Sequence, residues 1–220
     1  MTAAEWEASK DPDDMLRAAG KRIPERVLWL FACGAARRVH HLLPDYVRAM
    51  LERAEQAADL PPGERVAVLR EAVEGVGGTT GFMIRAGLRI DRPRDAAQQV
   101  AMMLRWLERR PSEPTTPLGQ VWSLVQTLPL IHQPSPEQAA VLRCVAGNPF
   151  RKTKFDPAWR TSTVLALARA ADAEHTSDNY PILADALQDA GCSDDAVLNH
   201  LRPPAHARGC WVLNGVLRLA

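Results

Sequence analysis

ERVLWLFACGAARRVHHLL, residues 25–43, is the stretch that decides the fold. Val27, Leu28, Leu30, Phe31, Gly34, Ala35 and Val39 recur at three- and four-residue intervals, so a helix gathers them into one broad apolar stripe. A strand would divide them between two faces. Pro24 opens the stretch and Pro44 ends it, as expected of a residue that suits a first helical turn and breaks a helix interior. The same grammar continues on both sides. Upstream, Thr2 and Glu5 have capping-box spacing, with Trp6 as the buried residue of a short first helix. Asp11-Pro12 places a cap before a helix-starting proline, and Gly20 stops that segment. Downstream, Asp45 can cap residues 46–59, where Val47, Met50, Leu51 and Ala54 share a face. Pro61-Pro62-Gly63 separates this from another helical stretch, 64–76.

Residues 75–81, GVGGTTG, read as a flexible loop; they lack the Lys-Ser/Thr pair that follows the last glycine of a phosphate-cradling loop. The segment 82–90 could be a strand or a short helix, with helix or irregular structure favoured, and 94–110 reads as a helix with Val100, Met103, Leu104 and Leu107 in register. PSEPTTP, 111–117, is the clearest linker, which sets an N-terminal lobe, 1–110, against a C-terminal lobe, 118–220. The two can also pack as one domain. Beyond it, 118–132 is an apolar helix broken near Pro129. Ser135 to Gln138 is a helix start, and Gly147-Asn148-Pro149 ends that helix. Residues 150–159 are extended or looped. Thr161 or Ser162 caps the next helix, Pro181 opens another that Gly191 stops, and Ser193 with Asp194 and Asp195 starts residues 196–202. Pro203-Pro204 breaks that segment, and 208–220 closes the chain. Short loops between successive helices favour an all-α, antiparallel multi-helix array with little or no sheet.

Composition bounds the function. With 220 residues, 46% hydrophobic and 24% charged, the chain has the balance of a globular protein and not of a disordered one. Lys and Arg number 27 against 26 for Asp and Glu, so no net field points to nucleic acid or an anionic membrane. No apolar run approaches the roughly 18 residues that a membrane span needs. The N-terminus shows no secretory pattern, and four cysteines are too few for a disulfide scaffold of this length. A reducing, cytoplasmic setting is the expectation.

Several blocks carry a resemblance. MTAAEWEASKDPDDML (1–16) and LWLFACGAARRVHHLL (28–43) resemble the N-terminal signature of a large paralogous group of bacterial proteins common in planctomycetes. GNPF (147–150), FDPAW (155–159), TSTVLALA (161–168), PILADALQDAGC (181–192), AVLNHLR (196–202) and HARGCWVL (206–213) resemble its closing segment. These blocks cover about half the chain. The resemblance implies a shared helical fold and a shared role, and names no activity. The chain departs from the pattern where Cys33 is followed by Gly34, Ala35 and Ala36, and where Leu201 stands in place of a frequent cysteine.

Four residues could carry chemistry: Cys192, His200, His206 and Cys210. Two thiolates and two imidazoles are the donor set of a structural tetrahedral zinc site. His206 and Cys210 are four apart, so one helical turn would put both on one face. No Cys-x-x-Cys is present, and the spacing is not that of a zinc finger. The bland alternative packs Cys192 after a helix-stop glycine and Cys210 beside Trp211, with both histidines as polar caps. A thiol enzyme could pair Cys210 with His206, or Cys192 with His200 and Asp195. Arg37, Arg38, His40 and His41 form a basic cluster that could contact phosphate or nucleic acid. The plainer reading is basic complementation of a helix C-terminus, and the balanced charge favours it. RKTK, 151–154, is a short solvated basic run, and Asp185, Asp189, Asp194 and Asp195 read as caps. Of the six tryptophans, most should be core anchors. With no catalytic set or cofactor fingerprint, the expectation is a non-enzymatic helical protein that binds another protein, with no cofactor. The alternatives are a small zinc-binding or thiol-dependent enzyme at Cys192, His200, His206 and Cys210, and, more weakly, nucleic-acid binding through Arg37 and Arg38.

Overall fold

A computed structural model of the chain describes residues 1–38, 40, 45–61, 64, 67–68, 136–174, 179–203 and 206–219. Among these residues there are nine α-helices and no strand, as the periodicity requires. They are α1 (Ala3–Ala8), α2 (Pro12–Ala19), α3 (Glu25–Arg37), α4 (Asp45–Ala57), α5 (Pro136–Ala146), α6 (Ser162–Glu174), α7 (Asn179–Asp189), α8 (Asp195–Leu201) and α9 (Trp211–Leu217). No helix among the described residues is long and apolar enough to cross a membrane. The expected loop at 75–81, the segments 82–90, 94–110 and 118–132, and the linker at 111–117 lie outside the described residues.

The chain forms two compact units. One joins Met1–Ile23 to Pro136–Ala220, and the other is Pro24–Ser135. The second unit shows how α3 and α4 hold together. Trp29 is buried, and its Nε1–H donates to the Ala54 carbonyl at 2.7 Å. That carbonyl lies in the last turn of α4, where helix carbonyls run out of helical donors. Leu30, Cys33, Leu51 and Ala54 are buried with it. Arg37 closes the pair by a bidentate ion pair to the buried Glu55 carboxylate, at 2.9 and 2.7 Å.

In the first unit, the N-terminal helices dock on the C-terminal segment. Thr2 Oγ1 accepts the Glu5 N–H at 3.2 Å and the Thr2 N–H donates to Glu5 Oε2 at 2.6 Å, which completes the expected capping box. Asp11 accepts from the N–H groups of Asp13 and Asp14, with Pro12 at the first helical position. Trp6 is fully buried, and its Nε1–H donates to the Gly147 carbonyl at 2.9 Å. Burying so large a ring is worth roughly 4–6 kcal/mol from its area, as an upper figure. Arg143 of α5 donates to the Trp6 and Ser9 carbonyls at 3.3 and 2.8 Å, satisfying groups that the end of α1 leaves open. Asn148 donates to the Ala3 carbonyl and to Glu7 at 2.9 and 2.8 Å.

The rest of this unit is a helical core at regular spacing. Val164, Ala168 and Ala171 of α6 meet Tyr180, Leu183, Ala184 and Leu187 of α7. Val197, Leu198 and Leu201 of α8 and Val212, Leu213 and Val216 of α9 complete the cluster. Starts follow the expected chemistry: Thr161 Oγ1 accepts the Val164 N–H at 3.3 Å, and Asp194 accepts the Ala196 N–H at 2.9 Å. One start differs. Helix α7 begins at Asn179, two residues before Pro181, because a proline in a first turn forfeits no helical hydrogen bond. Residues 157–159 make a 3-10 turn opened by Asp156, inside a stretch expected to be loop.

Candidate functional site

Three of the four residues singled out from the sequence converge, and Cys144 joins them in place of Cys192. The donor atoms of Cys144, His200, His206 and Cys210 all lie within 4.8 Å of one another. Each comes from a different piece of one unit: α5, α8, the loop after Pro203, and the residue that precedes α9. Cys144 Sγ lies 3.6 Å from His206 Nδ1, and Cys210 Sγ lies 3.3 Å from His200 Nε2.

Cys192 is occupied elsewhere by the backbone. Its N–H donates to the Leu187 carbonyl at 2.9 Å while the Gly191 N–H donates to Gln188 at 2.9 Å. With Gly191 at φ +89°, these two bonds make the Schellman closure of α7. The Cys192 thiol is buried in the helical core, where desolvation raises its pKa against the Asp194 backbone. The packing alternative for this residue therefore describes it better than the ligand set did. The route to Cys210 also differs from the expected helical turn. Residues 206–210 are not helical; Gly209 at φ +79° turns the chain, and Asn214 Nδ2 donates to its carbonyl at 2.9 Å.

A ring of neighbours fixes the four side chains. His206 Nε2 lies 2.9 Å from the Pro203 carbonyl, which can only accept, so Nε2 carries a hydrogen and, in the neutral ring, Nδ1 offers its lone pair. Tyr180 stacks on the His206 ring, 3.9 Å between centroids and 15° between planes. The Ala207 N–H donates to Cys144 Sγ at 3.3 Å. His200 rests against Trp211 at 5.5 Å. It also lines an open pocket of about 380 Å³ with Trp211, Asn199, Asp195, Arg143 and Arg151.

The electrostatics follow from two thiols sharing a dry space. The Cys210 side chain pulls the Cys144 thiol well below its ordinary value, against the burial that would raise it; His200 and His206 help. Burial pushes Cys210 well above, and the neighbouring Cys144 adds to that. The two thiols therefore titrate as a pair, and sharing the space keeps both from ionising together. Burial, and then the Cys210 and Cys144 charges, raise the Tyr180 phenol. Such a set can either hold a soft cation or keep one thiolate beside an imidazole.

The basic cluster is not gathered in the same way. Arg37 is held by Glu55, whose hydrogen bonds raise its pKa, and Arg38 is exposed. His40 has a buried Nε2 without a partner among the described residues, and its carbonyl accepts from Arg48 at 3.0 Å. His41 lies outside the described residues. Cys144 was the residue that sequence spacing missed. It sits 56 positions before His200, on a helix whose other buried residues are Ala139, Leu142 and Val145, and no local spacing ties it to the histidines. No family model, no curated protein and no solved structure matches the chain.

Proposed function

We propose that the protein is a non-enzymatic helical interaction module that takes a short, tryptophan-anchored helix of another protein into a groove. The observation that carries this reading is the docking of α1. A six-residue helix is too short to persist alone in water, and its stability comes from the surface that receives it. Trp6 fills that surface completely and donates to the Gly147 carbonyl, Arg143 and Asn148 hold the helix backbone, and Phe150 meets the tryptophan ring at 5.8 Å. This is the anatomy of helix-in-groove recognition, with one buried aromatic anchor and a polar rim. In this reading the chain's own first helix is the resident ligand and a partner presents a similar one. A cytoplasmic location goes with the proposal, because Cys33, Cys144, Cys192 and Cys210 form no disulfide.

The test uses the full-length chain carrying Trp6→Ala, whose anchor pocket is vacated. A fluorescent peptide of residues 1–23 should bind it saturably, and the same peptide with Trp6→Ala should not. Absence of binding to a variant that keeps its helical dichroism would remove the reading. A thiol-dependent enzyme is the second reading, favoured by Cys144 Sγ lying 3.6 Å from His206 Nδ1. Cys144 is only 6% exposed, which weighs against direct attack on a substrate. Retention of any measured turnover in Cys144→Ala would exclude it.

A further inference from the structure

We infer that Cys144, His200, His206 and Cys210 hold one zinc ion in a closed, tetrahedral, structural site. The first argument is size. Zinc–sulfur bonds of about 2.3 Å and zinc–nitrogen bonds of about 2.0–2.1 Å set the edges of a tetrahedron. Those edges are about 3.8 Å between sulfurs, about 3.6 Å between sulfur and nitrogen, and about 3.3 Å between nitrogens. Of two sulfur–nitrogen edges, one meets that value at 3.6 Å and the other, at 3.3 Å, is slightly shorter. All remaining separations are within 4.8 Å, so closure on an ion shortens any of them by at most about 1.5 Å.

The second argument is selection of the donor face. A histidine ligand normally offers one ring nitrogen to the metal and gives the other N–H to a fixed acceptor. His206 is already in that state: Nε2 faces the Pro203 carbonyl at 2.9 Å and Nδ1 faces the cluster. The Ala207 N–H bound to Cys144 Sγ is the matching donor for a ligating thiolate. Neither contact is needed to pack an apolar core.

The third argument is charge. Cys144 and Cys210 are buried, and two thiolates in that space would repel each other and lack water. A divalent cation removes both costs. Two sulfur and two nitrogen donors in tetrahedral array select zinc over calcium or magnesium, which take oxygen donors. Four protein ligands leave no open position for substrate, so the site is architectural. It ties α5 to α8 and to the start of α9 across 65 intervening positions, in a unit whose cysteines form no disulfide. The inference is independent of the interaction reading above.

The experiment takes the full-length chain, made without a histidine tag and refolded or grown with zinc. Wild-type protein should retain about one zinc ion per chain after gel filtration against a weak chelator. Cobalt in place of zinc should give the visible bands of a tetrahedral ion and the charge-transfer absorption of two thiolates. Cys192→Ala should keep both signatures, while Cys144→Ser and His206→Gln should each lose at least about nine-tenths of the bound metal. Wild-type protein that stays metal-free, metal retained in Cys144→Ser, or metal lost in Cys192→Ala would overturn the assignment. Should Cys144→Ser fail to fold, the wild-type cobalt spectrum decides alone. Absorption of two thiolates supports the site, and that of none, one or three overturns it.

Discussion

Gly215→Ala sets two known effects against each other, and the structure decides which prevails. Gly215 lies within α9, and glycine to alanine inside a helix ordinarily stabilises by about 1 kcal/mol. Here a Cβ would sit 2.1 Å from Phe155 Cε2, 2.2 Å from Cζ and 2.5 Å from Cδ2. Carbon atoms in contact prefer about 3.5–4.0 Å, so the ring must retreat by more than an ångström. It is not free to do so. Phe155 meets Trp159 and Trp211 edge-on, with centroids 6.3 and 5.8 Å away. Each such pair is worth about 0.5–1.5 kcal/mol beyond its area, and overpacking costs about 1–3 kcal/mol. With one of those ring pairs lost, the net expectation is a loss of about 0.5–3.5 kcal/mol after the helix-propensity gain is taken off. Trp211 follows Cys210, so the same push should also loosen the Cys210 donor. Urea unfolding followed by far-ultraviolet dichroism and by tryptophan emission measures the loss. Adding Phe155→Leu to Gly215→Ala should recover at least about 1 kcal/mol relative to the sum of the single changes. If Gly215→Ala were as stable as the wild type and the two changes additive, the packing of Phe155 against α9 would be refuted.

Two further perturbations follow from buried polar groups. Arg37→Met leaves the Glu55 carboxylate, 6% exposed, without its cation. That should cost about 1–3 kcal/mol, less than for a fully buried pair because the guanidinium is a third exposed, and Arg37→Met with Glu55→Met should cost less than Arg37→Met alone. Equal costs for the single and double variants in chemical denaturation would contradict this. Tyr180 gives a pH test in the metal-free chain. Its phenol is raised by burial, so its contribution is complete below the unfolded value near pH ~10 and is lost as the pH rises towards the folded value. In parallel absorbance and dichroism titrations, one of the two tyrosines should ionise only with the helices' loss, and Tyr180→Phe should remove that coupling. Ionisation of both near pH ~10 in a folded chain would count against the buried placement.

The fold was readable where a local residue has one cheap conformation. Thr2 with Glu5, Asp11 with Pro12, Thr161 and Asp194 each mark a helix start through a hydrogen bond made within three residues, and all four occur. Gly191 and the end of α7 are legible for the same reason, through the positive φ that the closing turn requires. The joining of residues 1–23 to 136–220 was not legible, because the bond from Trp6 to Gly147 spans 141 positions and no local preference encodes it. The site was legible by inventory and not by membership. His200, His206 and Cys210 lie within ten positions, so proximity in the chain found them. Choosing between Cys144 and Cys192 depended on which thiol reaches the two histidines across the fold, and chain proximity favoured the one that lies outside the cluster. Cys192 lies eight positions from His200, but its backbone closes a helix and its thiol joins the core. His206 and Cys210 meet for a reason other than helical spacing: the turn at Gly209 brings them together.

The central claim is that sulfur and imidazole groups in this chain serve architecture at one four-donor centre. Zinc-edge X-ray absorption on the zinc-loaded full-length protein tests it directly. The account predicts two sulfur donors at about 2.3 Å and two nitrogen donors at about 2.0–2.1 Å, with imidazole scattering beyond them. A shell of light atoms alone, or one with three sulfurs, would contradict it.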